Sequence, residues 1–302
     1  MAFGFPGSTD AKKLNSCDTR RVSPTLARSG MIATQHPLAS AAGLRVLASG
    51  GNAIDAAVAA ALVGTVVMPS RCGIGGDLFA VVARPDASGA WQDDDILAFM
   101  GSGISPRGAT IEFMTERGED APGGHRVLAQ HGPLSPSVPG FVAGAFSLLD
   151  HYGTRSFAEL AEPAIGYAAN GFPLTPGEAS TAAHLEAELR QYPATAAVFL
   201  PNGKPLKTGE ILRQPGLARS IAQIARGGPD VFYRGTLAKA ITDFLGENGG
   251  ALTMDDFADH ATDVGTPLST TYRGYTVYET ALPTQGFVVL EVQQVSGDID
   301  AC

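Results

Sequence analysis

Two glycine-rich stretches of this 302-residue chain could shape a site. The first is Cys72-Gly73-Ile74-Gly75-Gly76-Asp77. Glycines and a cysteine in a tight loop can line a binding site, and they can equally form a plain turn. The second is Gly101-Ser102-Gly103-Ile104-Ser105-Pro106. A Gly/Ser loop at the end of a strand is a common place for a ligand contact, and Ser102 is the side chain that could make it. The competing reading is again a turn. A dinucleotide fingerprint is excluded, because it needs strand, then glycines, then helix. Around Gly73 the order is helix, glycines, strand. Cys17, Cys72 and Cys302 show no CxxC spacing, and the six histidines show no HExxH. No disulfide framework, metal site or cofactor is expected from them.

The elements around these loops set their positions. Asn52 and Asp55 form an N-terminal cap for a helix from Ala53 to Met68. That run is small or apolar on nearly every face, as expected of a buried helix. It is too short, and carries Asp55 too near its start, to span a bilayer. Pro69 ends it, and the glycines lead into a strand from Leu78 to Arg84. A second strand is expected from Asp95 to Met100, with Pro85-Asp86-Ala87-Ser88-Gly89 as the hairpin turn between them.

Elsewhere helices predominate. His36-Pro37 opens a helix with Leu38, Ala41, Leu44, Leu47 and Ala48 on one face and Gly50-Gly51 as its stop. Met31 to Gln35 reads as a short strand-like piece. Thr110 to Gly118 and Phe141 to His151 read as helices, and Gly118 to Gly132 as a surface loop. Ser156–Glu159, Thr175–Glu178 and Thr253–Asp256 have capping-box spacing. The helix after Ser156 is expected to break at Pro163 and resume to Asn170. Further helices run from Pro215 to Arg226 and Thr236 to Asn248. Leu268–Tyr272 and Tyr275–Glu279 form a hairpin around Arg273-Gly274, and Phe287 to Val295 is apolar enough for a buried helix or strand.

The composition is that of a globular protein, with 44% hydrophobic and 17% charged residues. Its 30 acidic against 21 basic residues give a net charge of −9. Without a basic cluster, nucleic acid and anionic membrane are not expected partners. No apolar leader is evident at the N-terminus, so a cytoplasmic protein is expected. Residues 1–30 read as an arm, and 31–302 as one incomplete domain.

Several stretches, in order, together resemble the γ-glutamyltranspeptidase family of N-terminal-nucleophile hydrolases. They are His36-Pro37-Leu38-Ala39-Ser40 through Gly50-Gly51-Asn52-Ala53-Ile54-Asp55-Ala56-Ala57-Val58-Ala59, and Gly73-Ile74-Gly75-Gly76-Asp77-Leu78-Phe79. Next come Val138-Pro139-Gly140, Tyr152-Gly153, Pro163-Ala164-Ile165 and Gly171-Phe172-Pro173. Gln214-Pro215-x-Leu217-Ala218, Phe232-Tyr233-x-Gly235, Gly249-Gly250-x-Leu252-Thr253-x-x-Asp256, Pro267-Leu268 with Tyr272-Arg273-Gly274, and Pro283-Thr284-Gln285-Gly286 follow. The resemblance implies an α+β fold, the helix-rich large-subunit portion of a four-layer αββα sandwich. It also implies a precursor that cleaves itself and exposes a threonine on a small subunit. That threonine is nucleophile and, through its α-amino group, base, and it opens γ-glutamyl amides such as glutathione. Backbone N–H groups of the small subunit hold the oxyanion.

Two departures from the family pattern bear on function. No Thr-Thr or Thr-Ser follows Pro283, so the chain is expected to lack the nucleophile and to be inactive alone. Thr270-Thr271 lies upstream of the nucleophile's place and reads as strand. Relatives also carry an arginine in the loop after the second strand, which grips the substrate's α-carboxylate. Ile104 stands at that place here. Arg107, three residues on, and Arg71, beside the glycine turn, are the other candidates for the carboxylate, with Ser102 as a further substrate contact. The expected partner is a small subunit bearing the nucleophile. The alternatives are an amidohydrolase of the same family acting on another acyl group, such as a cephalosporin side chain or a small dicarboxylic amide, or a non-catalytic truncated paralogue.

Overall fold

The computed structural model describes residues 26–84, 95–121, 125–128 and 131–300. The expected turn at Pro85–Gly89 lies outside them. Backbone contacts divide the chain into Met1–Met31 and Ile32–Cys302. Of the first unit, residues 26–31 are irregular and exposed. The second unit has an α+β fold rich in helix.

Its elements begin with α1 (Pro37–Ala48), α2 (Ala53–Val67), β1 (Leu78–Ala83) and β2 (Ile96–Gly101). There follow α3 (Ile111–Arg117), β3 (Glu119–Ala121), β4 (His125–Val127), α4 (Phe141–Tyr152), α5 (Phe157–Asn170) and β5 (Phe172–Pro173). Then come α6 (Pro176–His184), α7 (Glu186–Leu189), α8 (Pro193–Phe199), β6 (Ile211–Leu212) and α9 (Pro215–Gly227). The last are α10 (Pro229–Tyr233), α11 (Thr236–Glu247), α12 (Met254–Ala258), β7 (Asp263–Gly265), β8 (Leu268–Tyr272), β9 (Tyr275–Glu279) and α13 (Gly286–Asp300).

Helix α2 is the centre of the core. Val58, Ala59, Leu62, Val63, Val66 and Val67 are at most 1% exposed, and α1, α4 and α5 pack around them. Both ends of α2 are tied. The Asn52 side chain accepts from Asp55 N–H and Asp55 accepts from Asn52 N–H, each at 2.9 Å, a complete capping box. At the other end Gln214 Nε2 donates to the carbonyl of Val66 at 2.8 Å.

The main sheet has the order β1-β2-β7, all antiparallel, with Leu78 opposite Gly101 and Ala80 opposite Phe99. Leu78, Ala80 and Phe99 share the face that meets α4, where Phe99 packs edge-on to His151. Phe79 and Val81 point to the opposite face and are 39% and 40% exposed.

Several local expectations need correction. The buried face of α1 is Ala39, Ala42 and Gly43, whereas Leu44 is exposed. Small residues win that face because α2 lies too close for leucines. A Cβ on Gly43 would stand 2.8 Å from the Ala56 carbonyl oxygen. Helix α5 runs unbroken through Pro163, held by its packing against α2 and α9. Met31 to Gln35 joins no strand ladder among the described residues. Within the expected loop 118–132, β3 and β4 pair. Apolar α13 is a helix, yet Phe287, Val288, Val289, Val292 and Val295 are exposed. The hairpin β8–β9 forms as read, with Arg273 and Gly274 both at positive φ, and Thr270 and Thr271 are strand residues within it.

Candidate functional site

Three backbone segments cross at one end of the main sheet. The chain leaving α2 turns at Arg71 and Cys72, whose N–H groups both donate to the Met68 carbonyl. It turns again at Gly73–Gly76, closed by Gly76 N–H on Gly73 O at 3.0 Å, before entering β1. Because Leu78 pairs with Gly101, this turn lies beside the loop that follows β2. The third segment is Val138–Phe141, the lead into α4.

Hydrogen bonds knit the three together. Gly140 and Phe141 N–H both donate to the Gly76 carbonyl, at 3.0 and 2.8 Å, and Val138 N–H donates to Ile104 O at 3.1 Å. The approach is too close for side chains. A Cβ on Gly140 would lie 2.0 Å from Gly101 O, and one on Gly103 would lie 1.5 Å from Val138 O. Glycine is therefore required at both places for steric reasons alone.

Tyr233 locks the crossing from below. Its buried hydroxyl accepts from Ala143 N–H at 2.9 Å and donates to Pro139 O at 2.7 Å. Burial pushes this phenol well above its ordinary range, against the lowering by Ala143 N–H. His260 stacks on the Tyr233 ring at 5.2 Å. Burial pushes its imidazole down, although the Asp77 and Asp263 carboxylates pull the other way. Tyr233 carries a family motif, but nothing in the sequence indicates the two backbone groups it bridges.

Ser102 is half-buried within the crossing, and Ile104 is 50% exposed at its rim. Arg107 leaves the loop on the far side. Its guanidinium pairs with Asp259, and its N–H donates to Asp256 Oδ1 at 3.1 Å. Burial would raise the Asp256 carboxyl. Hydrogen bonds from Thr253 and Arg107 N–H outweigh it and hold the group below its usual range. Arg71 is exposed beside the glycine turn. Ser102 and Ile104 thus lie in the crossing, whereas the Arg107 charge is engaged by an aspartate.

An apolar cavity of about 480 Å³ opens next to the turn, lined by Ile74, Gly75, Pro139, Phe232, Leu237 and Phe244. Among the described residues no serine, threonine or cysteine is hydrogen-bonded to a histidine side chain. No group of three possible metal ligands occurs among them either, and no helix among them is long and apolar enough to cross a membrane. The site offers a shaped rim of backbone and a Ser/Ile loop, with no assembled nucleophile and base.

Comparison with known proteins bears on this geometry. The sequence profile of the Gamma-glutamyltranspeptidase family matches residues 39–300. The Glutathione hydrolase proenzyme of Bacillus subtilis (strain 168) is 35% identical over 96% of this chain and 48% of its own length. The Acylase ACY 1 proenzyme of Pseudomonas sp. (strain SE83) is 37% identical over 84% of this chain and 45% of its own. The crystal structure of Helicobacter pylori gamma-glutamyltranspeptidase superposes with a TM-score of 0.82 at 31% identity, covering 91% of this chain and 77% of that one. The chain spans about half the length of the curated relatives it matches.

Proposed function

The chain belongs to the gamma-glutamyltranspeptidase family, and on that premise we propose that it supplies the large-subunit part of an amide-cleaving enzyme. A second segment that opens on a threonine completes the site. The threonine hydroxyl attacks the amide carbonyl while its own α-amino group takes the proton, and the amine leaves as the acyl-enzyme forms. Water or an amino acid then takes the acyl group. The observation that carries this reading is the crossing of two family stretches, Gly73–Asp77 and Val138–Gly140, with the loop Gly101–Ile104, which leaves Ile104 exposed at its rim.

The first acyl donor to consider is a γ-glutamyl amide, with Ser102 as a polar contact and Arg107 or Arg71 as the cation for its α-carboxylate. A second reading, another acyl group, is favoured by three observations. Ile104 stands at the rim, Arg107 is engaged by Asp259, and the cavity beside Ile74 is apolar. A cytoplasmic location is part of the proposal. The free, exposed thiol of Cys72 suits a reducing compartment, and cell fractionation checks it.

The test pairs this chain with the threonine-bearing second part of the Bacillus subtilis relative. Two p-nitroanilides are compared, γ-glutamyl and 4-aminobutanoyl, which differ only by the carboxylate. Turnover of either supports the enzyme reading, and their ratio decides the acyl group. A stable complex that turns over neither would leave the non-catalytic alternative.

A further inference from the structure

The carboxylate of Glu178 is drawn away from its own helix. Glu178 is the third residue of α6, and its N–H is capped by Thr175 Oγ1 at 3.3 Å. Capping-box spacing would send the side chain back to the Thr175 N–H. Instead Oε1 accepts from Ser70 Oγ at 2.8 Å and Oε2 from Ser70 N–H at 3.3 Å, just beyond the end of α2. The residue is only 8% exposed.

There it lines a cavity of about 420 Å³, within the range of small-molecule sites. The walls are apolar, chiefly Leu174, Leu185, Leu189, Tyr192, Phe199 and Leu206. Among the described residues no lysine or arginine lines it. The histidine on its border, His131, is joined to Glu188 at 3.2 Å. Among the described residues Glu178 has no ion pair. A buried carboxylate in apolar walls, bonded to one serine, is incompletely compensated. Its neighbours feel that charge. The Cys72 thiol, partly desolvated although its residue is exposed, is pushed up by that loss of water and then by Glu178, while burial lowers His36 against the pull of Glu178.

We propose that this cavity binds a small primary ammonium compound with an aromatic or branched aliphatic body, the ammonium seated on Glu178. The body lies against Leu185, Leu189, Tyr192 and Phe199. The same charges disfavour any ligand bearing a carboxylate, since Glu178 and Glu188 both line the cavity. Ser102, Ile104 and Arg107 do not line it, so it is separate from the loop crossing and independent of the amide-cleavage reading.

The experiment is calorimetric titration of the whole chain with 2-phenylethylamine, 2-phenylethanol and 3-phenylpropionate. The amine should bind at least tenfold tighter than the alcohol, and the acid should not bind. Glu178→Gln should remove the preference for the amine. Ala182→Phe, which fills the cavity from its wall, should abolish binding of both. Equal affinity for amine and alcohol on the unaltered chain, a preference for the amine that survives Glu178→Gln, amine binding that survives Ala182→Phe, or no binding at all would overturn the proposal. Should Glu178→Gln fail to fold, the three probes on the unaltered chain and Ala182→Phe still decide.

Discussion

A Cβ on Gly103 would sit 1.5 Å from the carbonyl oxygen of Val138, whose N–H donates to the neighbouring Ile104 O at 3.1 Å. Two main chains thus pass with no room for a side chain, and the loop carrying Ser102 and Ile104 is fixed by that contact. Gly103→Ala must push one strand of the crossing aside, and it should destabilise the chain by about 3 kcal/mol or more. Gly166→Ala is the contrast. It lies inside α5 with nothing within 4 Å of its Cβ position, so it should stabilise by about 0.5–1 kcal/mol. Denaturant titration of both variants measures the difference.

Asp55 should dominate acid denaturation. Burial alone would raise its carboxyl. Hydrogen bonds from the Thr154 hydroxyl and from the N–H groups of Asn52, Thr154 and Arg155 outweigh it and hold it below the usual value. A depressed folded-state pKa gives stability that is present above the unfolded value of about 3.9. That stability is lost as pH falls through the lower folded value. Asp55→Asn should flatten the acid limb of stability against pH. Asp55→Ala, which strands several buried donors, should lose about 3 kcal/mol or more at neutral pH.

Tyr233→Phe removes one hydroxyl and leaves both Ala143 N–H and Pro139 O without their partner. A loss of about 1–3 kcal/mol is expected. In the paired enzyme KM should rise as well, because the lead into α4 supports the Ser102 loop. Equilibrium unfolding and steady-state kinetics check the two effects.

Helix α13 presents Phe287, Val288, Val289, Val292 and Val295 to solvent, an apolar face of the kind that associates or binds dyes. The chain alone should bind a hydrophobic fluorophore and self-associate. Val288→Lys with Val295→Lys should reduce both. Light scattering and dye fluorescence supply the readout, and unchanged fluorescence would place the dye elsewhere.

In the paired enzyme, Ile104→Arg should shift the kcat/KM ratio toward the γ-glutamyl anilide by about one to two decades, the scale of one charge-assisted contact. Arg107→Ala is the control. If the unaltered enzyme already favours the γ-glutamyl donor and Arg107→Ala removes that preference, Arg107 has exchanged Asp259 for substrate.

What the sequence determined is mostly what short-range chemistry dictates. Asn52 and Asp55 announce the start of α2, its all-round small and apolar run announces burial, and Arg273-Gly274 announces the β8–β9 turn. The ordered family stretches disclosed the family, because their residue types are constrained by backbone approach, as at Gly140. Contacts between residues far apart in the chain were decided only by the tertiary structure. Pairing of Leu78 with Gly101 brings the two glycine loops together, and packing against α2 selects alanine and glycine over leucine on α1. Glu159 and Glu178 have the same capping spacing. Yet one pairs with Arg155 and the other reaches Ser70 across 108 residues. Spacing settles where a carboxylate leaves the backbone. Which partner it meets depends on what the fold brings within reach.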